Sequence, residues 1–180
     1  MEYLQTPRLL LRFFTAEDAD LLIDLDSDPE VMRHLTDGRP TPPDEVRNGQ
    51  IPRILAYHEG TPQYGFFAAV NKASGRFVGW FHFRPTRDAP HDIELGYRLR
   101  RDAWGQGYAT EGSRALLHKG FAELDLPRVV ARTMLANVAS QNVMRKLGMR
   151  HARDFIEDRF PGADQRAVEY TIEREDWARA

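Results

Sequence analysis

Apolar positions along this chain switch between two spacings, and the switches mark its elements. Arg8 to Phe14 (RLLLRFF) is a short apolar run after Thr6-Pro7 and predicts a strand. Thr15 then stands at a helix N-cap position with Asp18 three residues on, close to a capping box. Leu21, Leu22 and Leu25 share the face that follows. Pro29 predicts the start of a second short helix, with Val31, Met32 and Leu35 turned inward. Prolines and a glycine between Thr36 and Glu45 predict a loop. Thr41 or Asp44 is expected to cap a further helix to about Glu59, with Pro52 working against it.

The middle of the chain changes to a period of two. Tyr64 to Val70 and Arg76 to Phe83 are aromatic and β-branched runs about the turn NKASG, which predicts a hairpin. Asp92 to Arg100 puts Ile93, Leu95, Tyr97 and Leu99 on one face of a further antiparallel strand. Helical spacing returns from Ala109 to Leu124, and Arg128 to Leu135 reads as a strand. Ser140 to Met149 predicts a short helix with Ser140 as N-cap and Gly148 just past its end. Ala152 to Asp158 and Arg166 to Arg174 predict a closing hairpin around Pro161-Gly162. The order gives a mixed α/β (α+β) fold with a largely antiparallel sheet of about seven strands, not an alternating doubly wound one. No linker or repeat divides the chain, so residues 1–180 are expected to form one domain.

Composition narrows the chemistry. A net charge of −2 supplies no basic field for nucleic acid. The absence of cysteine removes disulfides, zinc-thiolate sites and a thiol nucleophile. No His, Asp or Glu cluster has metal-ligand spacing. No signal pattern or membrane-length apolar run is present, which makes a cytoplasmic location with no membrane partner the expectation.

The stretch RRDAWGQGYATEG (Arg100 to Gly112) joins a strand to a helix through Gly105 and Gly107. Glycines there let the chain turn so that the N–H groups of Gln106, Gly107, Tyr108, Ala109 and Thr110 point out of the helix N-terminus, which suits a pyrophosphate. A tight turn with no ligand is the competing reading of the same spacing. The dinucleotide pattern G-x-G-x-x-G fails after Gly107, and no Lys-Ser or Lys-Thr follows a glycine as a P-loop needs.

Four segments in order carry a resemblance: TPRLLLRFFTAEDADLL, ELGYRLRRDAWGQGYATEG, ANVASQNVMRKLGM and AVEYTIEREDW. Together they resemble the GCN5-related N-acetyltransferases, and within them the RimJ/RimL type that acetylates ribosomal-protein N-termini. The resemblance spans nearly the whole chain. It implies a sheet splayed between its fourth and fifth strands, acetyl-CoA (CoA) as co-substrate and direct transfer to a primary amine. That acceptor is a protein N-terminus or a small molecule. A homodimer is common in that branch.

The same resemblance implies roles for individual residues. Leu99 offers its backbone to the pantetheine amides. The loop Trp104, Gly105, Gln106, Gly107, Tyr108, Ala109 and Thr110 binds the pyrophosphate. Asn137 bonds the pantetheine, Ser140 sits near the thioester sulfur, and Asn142 and Arg145 lie along the CoA. Glu94, alternating out of the apolar face, is the first candidate for a base; a solvated polar residue is the alternative. His82, within WFHF, titrates in the useful range or is a packed ring. Many relatives carry a Tyr in the helix after the fifth strand, and Met144 stands there instead, which leaves Ser140 as the remaining donor for the leaving thiolate. Two other functions fit the same residues: a non-catalytic acyl-CoA sensor, and an acyltransferase with a larger donor such as succinyl-CoA.

Overall fold

The structure is a computed structural model, and it describes residues 1–158 and 164–179. One sheet of eight strands runs through it: β1 (Glu2–Gln5), β2 (Leu9–Phe13), β3 (Gly65–Asn71), β4 (Phe77–Pro85), β5 (Ile93–Leu99), β6 (Arg128–Met134), β7 (Arg150–Ile156) and β8 (Arg166–Glu173). Their order across the sheet is β1-β2-β3-β4-β5-β6-β8-β7. All neighbours are antiparallel except β5 and β6. The strand beyond the expected seven is β1, whose EYLQ is too short and too mixed to show a period. The closing hairpin is present, but its Pro161-Gly162 tip lies outside the described residues.

Alternation along the strands builds two cores. Leu9, Leu11, Phe67, Ala69, Phe81, Phe83, Ile93, Leu95 and Leu99 belong to one, with Leu116, Leu117 and Phe121 of α5 (Tyr108–Ala122). On the opposite face, Ala68 and Phe77 belong to the second, with Leu22 and Leu25 of α1 (Ala19–Ser27) and Ile51 and Ile54 of α4 (Ile51–Gly60). Helix α5 comes very close to β4: a Cβ on Gly112 would lie 2.4 Å from the Phe81 ring, and one on Gly120 2.8 Å from Phe83.

Some helix boundaries differ from expectation. Thr15 and Asp18 do form the capping box, and Asp28 caps α2 (Pro29–Met32). The next helical segment is capped by neither Thr41 nor Asp44; Pro42 precedes α3 (Pro43–Glu45), and Thr41 instead donates to Asp26 at 2.9 Å. Pro52 does not break the segment. Val46–Gln50 forms a wide π turn in which Ile51 N–H bonds Val46, and Pro52, with no N–H to give, sits at the following helical start. In the last helix before β7, α6 (Val138–Lys146), the cap is Asn137, whose Oδ1 accepts from Ser140 N–H at 3.1 Å. Ser140 is thus inside the first turn and not the cap. Gly148 follows the helix with φ +82°, as a C′ glycine should.

Candidate active site

Strands β5 and β6 pair in parallel only through Ile93–Val129 and Glu94–Val130. Beyond Glu94 the two strands part, which opens a V in the sheet. Arg100 N–H bonds Val78 on β4, so by antiparallel alternation the backbone groups of Leu99 and Tyr97 point away from β4, into the V. Bidentate Arg128–Asp92 contacts at 2.8 and 2.7 Å hold the closed end. Arg132, among the more buried cations, joins Asp88 at 2.8 Å to Glu169 at 2.7 Å and ties the turn before β5 to β6 and β8. The Arg132 guanidinium holds the Asp88 carboxyl down at about 2.

The glycine loop lies at the open end. A short 3-10 turn (Arg101–Ala103) leads to Gly105 at φ +72° and Gly107 at φ +83°, and α5 starts at Tyr108. Gly107 occupies the N-cap position in a left-handed conformation that only glycine adopts cheaply, and it has no side chain to block the helix end. The first intrahelical bond is Glu111 N–H to Gly107 C=O. The N–H groups of Tyr108, Ala109 and Thr110 therefore lie before the helical ladder begins, at its positive end. A set of donors of this kind suits a pyrophosphate.

The loop is braced from within. Trp104 donates its indole N–H to Leu99 C=O at 2.9 Å, so the carbonyl that the sequence reading left for a ligand already carries one bond. Gln106 donates to Asp102 C=O at 2.7 Å. Arg8, at the start of β2, donates to Gln106 C=O at 2.9 Å and stacks 4.6 Å over the Tyr108 ring. Glu111 accepts from Arg8 Nε at 2.6 Å, from Arg8 N–H at 2.9 Å and from Thr6 Oγ1 at 2.5 Å. Burial pushes the Glu111 carboxyl up, but the bonds from Thr6 and Arg8 outweigh it and hold the group below its ordinary value. Tyr108 is itself buried and takes a hydrogen bond from Asn71 at 2.8 Å, so only its backbone faces outward as a donor. Thr6, Arg8 and Glu111 were not legible as site residues. Their contact spans more than a hundred positions of sequence, and an S/T-x-R pattern gives no local signal for it.

Glu94 sits at the vertex of the V and is 6% exposed. Its side chain leaves β5 on the α1/α4 face, where Arg84 donates to Oε2 at 3.0 Å and His82 Nε2 lies 3.8 Å from Oε1. The His82 ring lies across Gly96: a Cβ there would be 2.5 Å from Nε2. Phe66 meets the imidazole edge-on at 5.5 Å and Trp80 stacks at 5.8 Å. The structure thus brings Glu94 and His82, both expected, into one cluster, and adds Arg84 and Gly96. The acidic run Asp24 to Asp28 is paired within the fold. Asp24 pairs with Arg100, Asp26 with Arg98 and Thr41, and Asp28 caps α2.

On the other face of the V, Ser140 lies 3.5 Å from the Tyr97 hydroxyl. Asn137 is beside it at the α6 cap. Arg145 bonds Asn142 at 2.8 Å, Gln141 at 3.1 Å and the Tyr170 hydroxyl of β8 at 2.9 Å. Among the described residues no group of three His, Asp or Glu side chains is arranged to hold a metal. No described helix is long and apolar enough to cross a membrane.

The splayed sheet with free N–H groups at the helix start beside it can be set against known proteins. The model of the acetyltransferase (GNAT) domain matches residues 8–150. The chain belongs to the GNAT acetyltransferase family. A relative from Aspergillus fumigatus, named FsC-acetyl coenzyme A-N(2)-transacetylase, is 37% identical over 98% of this chain and 78% of its own length. A GNAT acetyltransferase of Bacillus anthracis superposes with a TM-score of 0.79 at 26% identity, covering 95% of this chain and 98% of that one. RimL, the ribosomal L7/L12 alpha-N-protein acetyltransferase solved in complex with coenzyme A, superposes with a TM-score of 0.79, covering 96% of this chain and 98% of that one. At 17% identity that likeness shows the fold alone. The protein is an acetyl-CoA-dependent N-acetyltransferase with an amine as acceptor. The sensor reading of the sequence, which denied it turnover, is set aside.

Proposed function

We propose that this chain acetylates the amine of a small molecule, with the acetyl group of acetyl-CoA held at the vertex of the V beside Glu94. The observation that carries it is the position of Glu94: a buried carboxylate at the last β5–β6 pair, where the strands part. The N–H groups at the start of α5 bind the pyrophosphate. The inward-facing backbone of Leu99 and Tyr97 receives the pantetheine amides, with Asn137 opposite. Transfer is direct, as befits a chain without cysteine. The amine nitrogen attacks the thioester carbon, its proton passes to Glu94, and the C–S electron pair leaves on sulfur. Arg84 orients the carboxylate, and His82 lies where it can pass the proton outward. We treat residues 1–180 as one domain, because strands from both ends of the chain share the one sheet.

A small-molecule acceptor is preferred over a protein N-terminus on the relatives. The one named an N(2)-transacetylase is 37% identical over the aligned residues, against 17% for RimL. The RimJ/RimL assignment therefore rests on fold likeness and sequence motifs only.

The test is thiol release from acetyl-CoA across a panel of small primary amines and peptides with free N-termini. Turnover with small amines is expected. Glu94→Gln should then lower kcat by about 10²–10⁴, with KM for acetyl-CoA little changed. Turnover confined to peptides would overturn the acceptor class, and a Glu94→Gln enzyme within a few fold of wild type would remove Glu94 as the base.

A further inference from the structure

We infer that the Tyr97 hydroxyl is the hydrogen-bond donor to the departing sulfur of CoA, working with Ser140 from across the V. The inference rests on the placement of the thioester proposed above. Three observations lead to it. First, Tyr97 is three residues past Glu94, where β5 has lost β6 as a neighbour. Second, its side chain leaves on the face opposite Glu94, because positions 94 and 97 differ by an odd number along a strand. It reaches the first turn of α6, on the far side of the V, and its hydroxyl stands 3.5 Å from Ser140 Oγ. Third, Met144 of α6, where the resemblance implies a tyrosine in many relatives, is buried in the core at 4% exposure and offers no donor.

The two faces of β5 thus carry different chemistry. Glu94 takes the proton from the attacking amine on one face. Tyr97 and Ser140 meet the leaving group on the other. As the C–S bond breaks, its electron pair goes to sulfur, and the phenolic O–H donates a hydrogen bond to the thiolate. No net proton transfer from the phenol is required. Burial raises the Tyr97 phenol above its ordinary value, partly offset by Ser140, so the group stays protonated and a donor throughout the neutral range. A free phenol is already a weaker acid than a thiol, about 10 against about 8.5, so thiolate beside tyrosine is the favoured pair. The ring is fixed by Phe81, 5.8 Å away, and a Tyr97→Phe change removes only the hydroxyl.

The test is a binding measurement that needs no turnover. The affinities of CoA and of acetyl-CoA are measured by calorimetry from pH 6 to 9. Both carry the same phosphates, but only CoA has a thiol proton to lose. If the site favours the thiolate, the bound thiol has a depressed pKa, and CoA tightens relative to acetyl-CoA as pH rises toward the free thiol value. The expected relative tightening in wild type is about tenfold to a hundredfold, the worth of a hydrogen bond to a charged group. Tyr97→Phe should abolish most of it, keep acetyl-CoA affinity within about twofold, and lower kcat by a similar factor. Ser140→Ala should give a partial loss. A Tyr97→Phe protein of unchanged melting temperature that keeps the full pH-dependent tightening would overturn the inference while leaving the acetyl-CoA site standing. Failure of wild type to bind either compound would remove the placement of the thioester, and the inference with it.

Discussion

At the scale of single residues, the site depends on partners that the sequence does not put side by side. Glu94 and His82 could be chosen from their strands because polar residues in apolar alternation are visible in one dimension. Their relation was not, since it runs through Gly96, whose missing side chain lets the imidazole lie across β5. Glu111 was hidden for a similar reason: it reads as an ordinary first-turn acid, yet it fastens Thr6 and Arg8 to the glycine loop. Its carboxyl titrates below the ordinary 4.5 in the folded protein. A depressed folded-state pKa contributes stability above the unfolded value, and that stability is lost as pH falls through the folded one. Wild type should therefore lose melting temperature on acidification below about pH 4.5 more steeply than Glu111→Gln. At pH 7 the variant should be less stable by about 1 kcal/mol, the net worth of hydrogen bonds at a partly exposed anchor. Equal acid slopes would show that the anchor carries no free energy.

Elements were legible where one period ran long enough. Strands β2 to β6 and helix α5 fall close to where their alternation or helical spacing placed them. The misreadings share a cause: competing local signals that tertiary contacts decide. Asn137 and Ser140 are both good caps, and the inclusion of Val138 and Ala139 in the helix settled it for Asn137. Pro52 reads locally as a breaker, but a π turn ahead of it supplies the room. Close packing of α5 on β4 was invisible, because Gly112 reads only as a weak helix former. The ring of Phe81 lies where its Cβ would be, and Phe81 also touches Tyr97. Gly112→Val should cost about 1–3 kcal/mol in urea unfolding through overpacking, more than the same change at Gly49, where an added Cβ meets nothing within 4 Å. Equal losses at both positions would mean that helix propensity and not the contact with β4 governs.

For the whole molecule, the V is the organising feature. It follows from one parallel pairing, in a sheet otherwise antiparallel, that stops after two residue pairs. The glycine loop lies at its open end, ion pairs of Asp92 and Asp88 hold its closed end, and in the roles proposed above the two faces of β5 divide base from leaving-group donor. Motif order in the sequence pointed to such a splay only by resemblance, since nothing in a strand's own residues says where its neighbour departs. The central claim is that acetyl-CoA lies in this V with its pyrophosphate on the start of α5. Calorimetric titration of acetyl-CoA into wild type, Gly107→Glu and Ala109→Glu tests it most directly. The second variant adds the charge without forcing a side chain onto a left-handed residue. A carboxylate at that helix start should repel the pyrophosphate by about 2 kcal/mol or more, weakening binding at least about tenfold in both variants, while only Gly107→Glu also loses melting temperature to its left-handed backbone. Wild-type affinity retained in both would contradict the account and return the glycines to a simple turn.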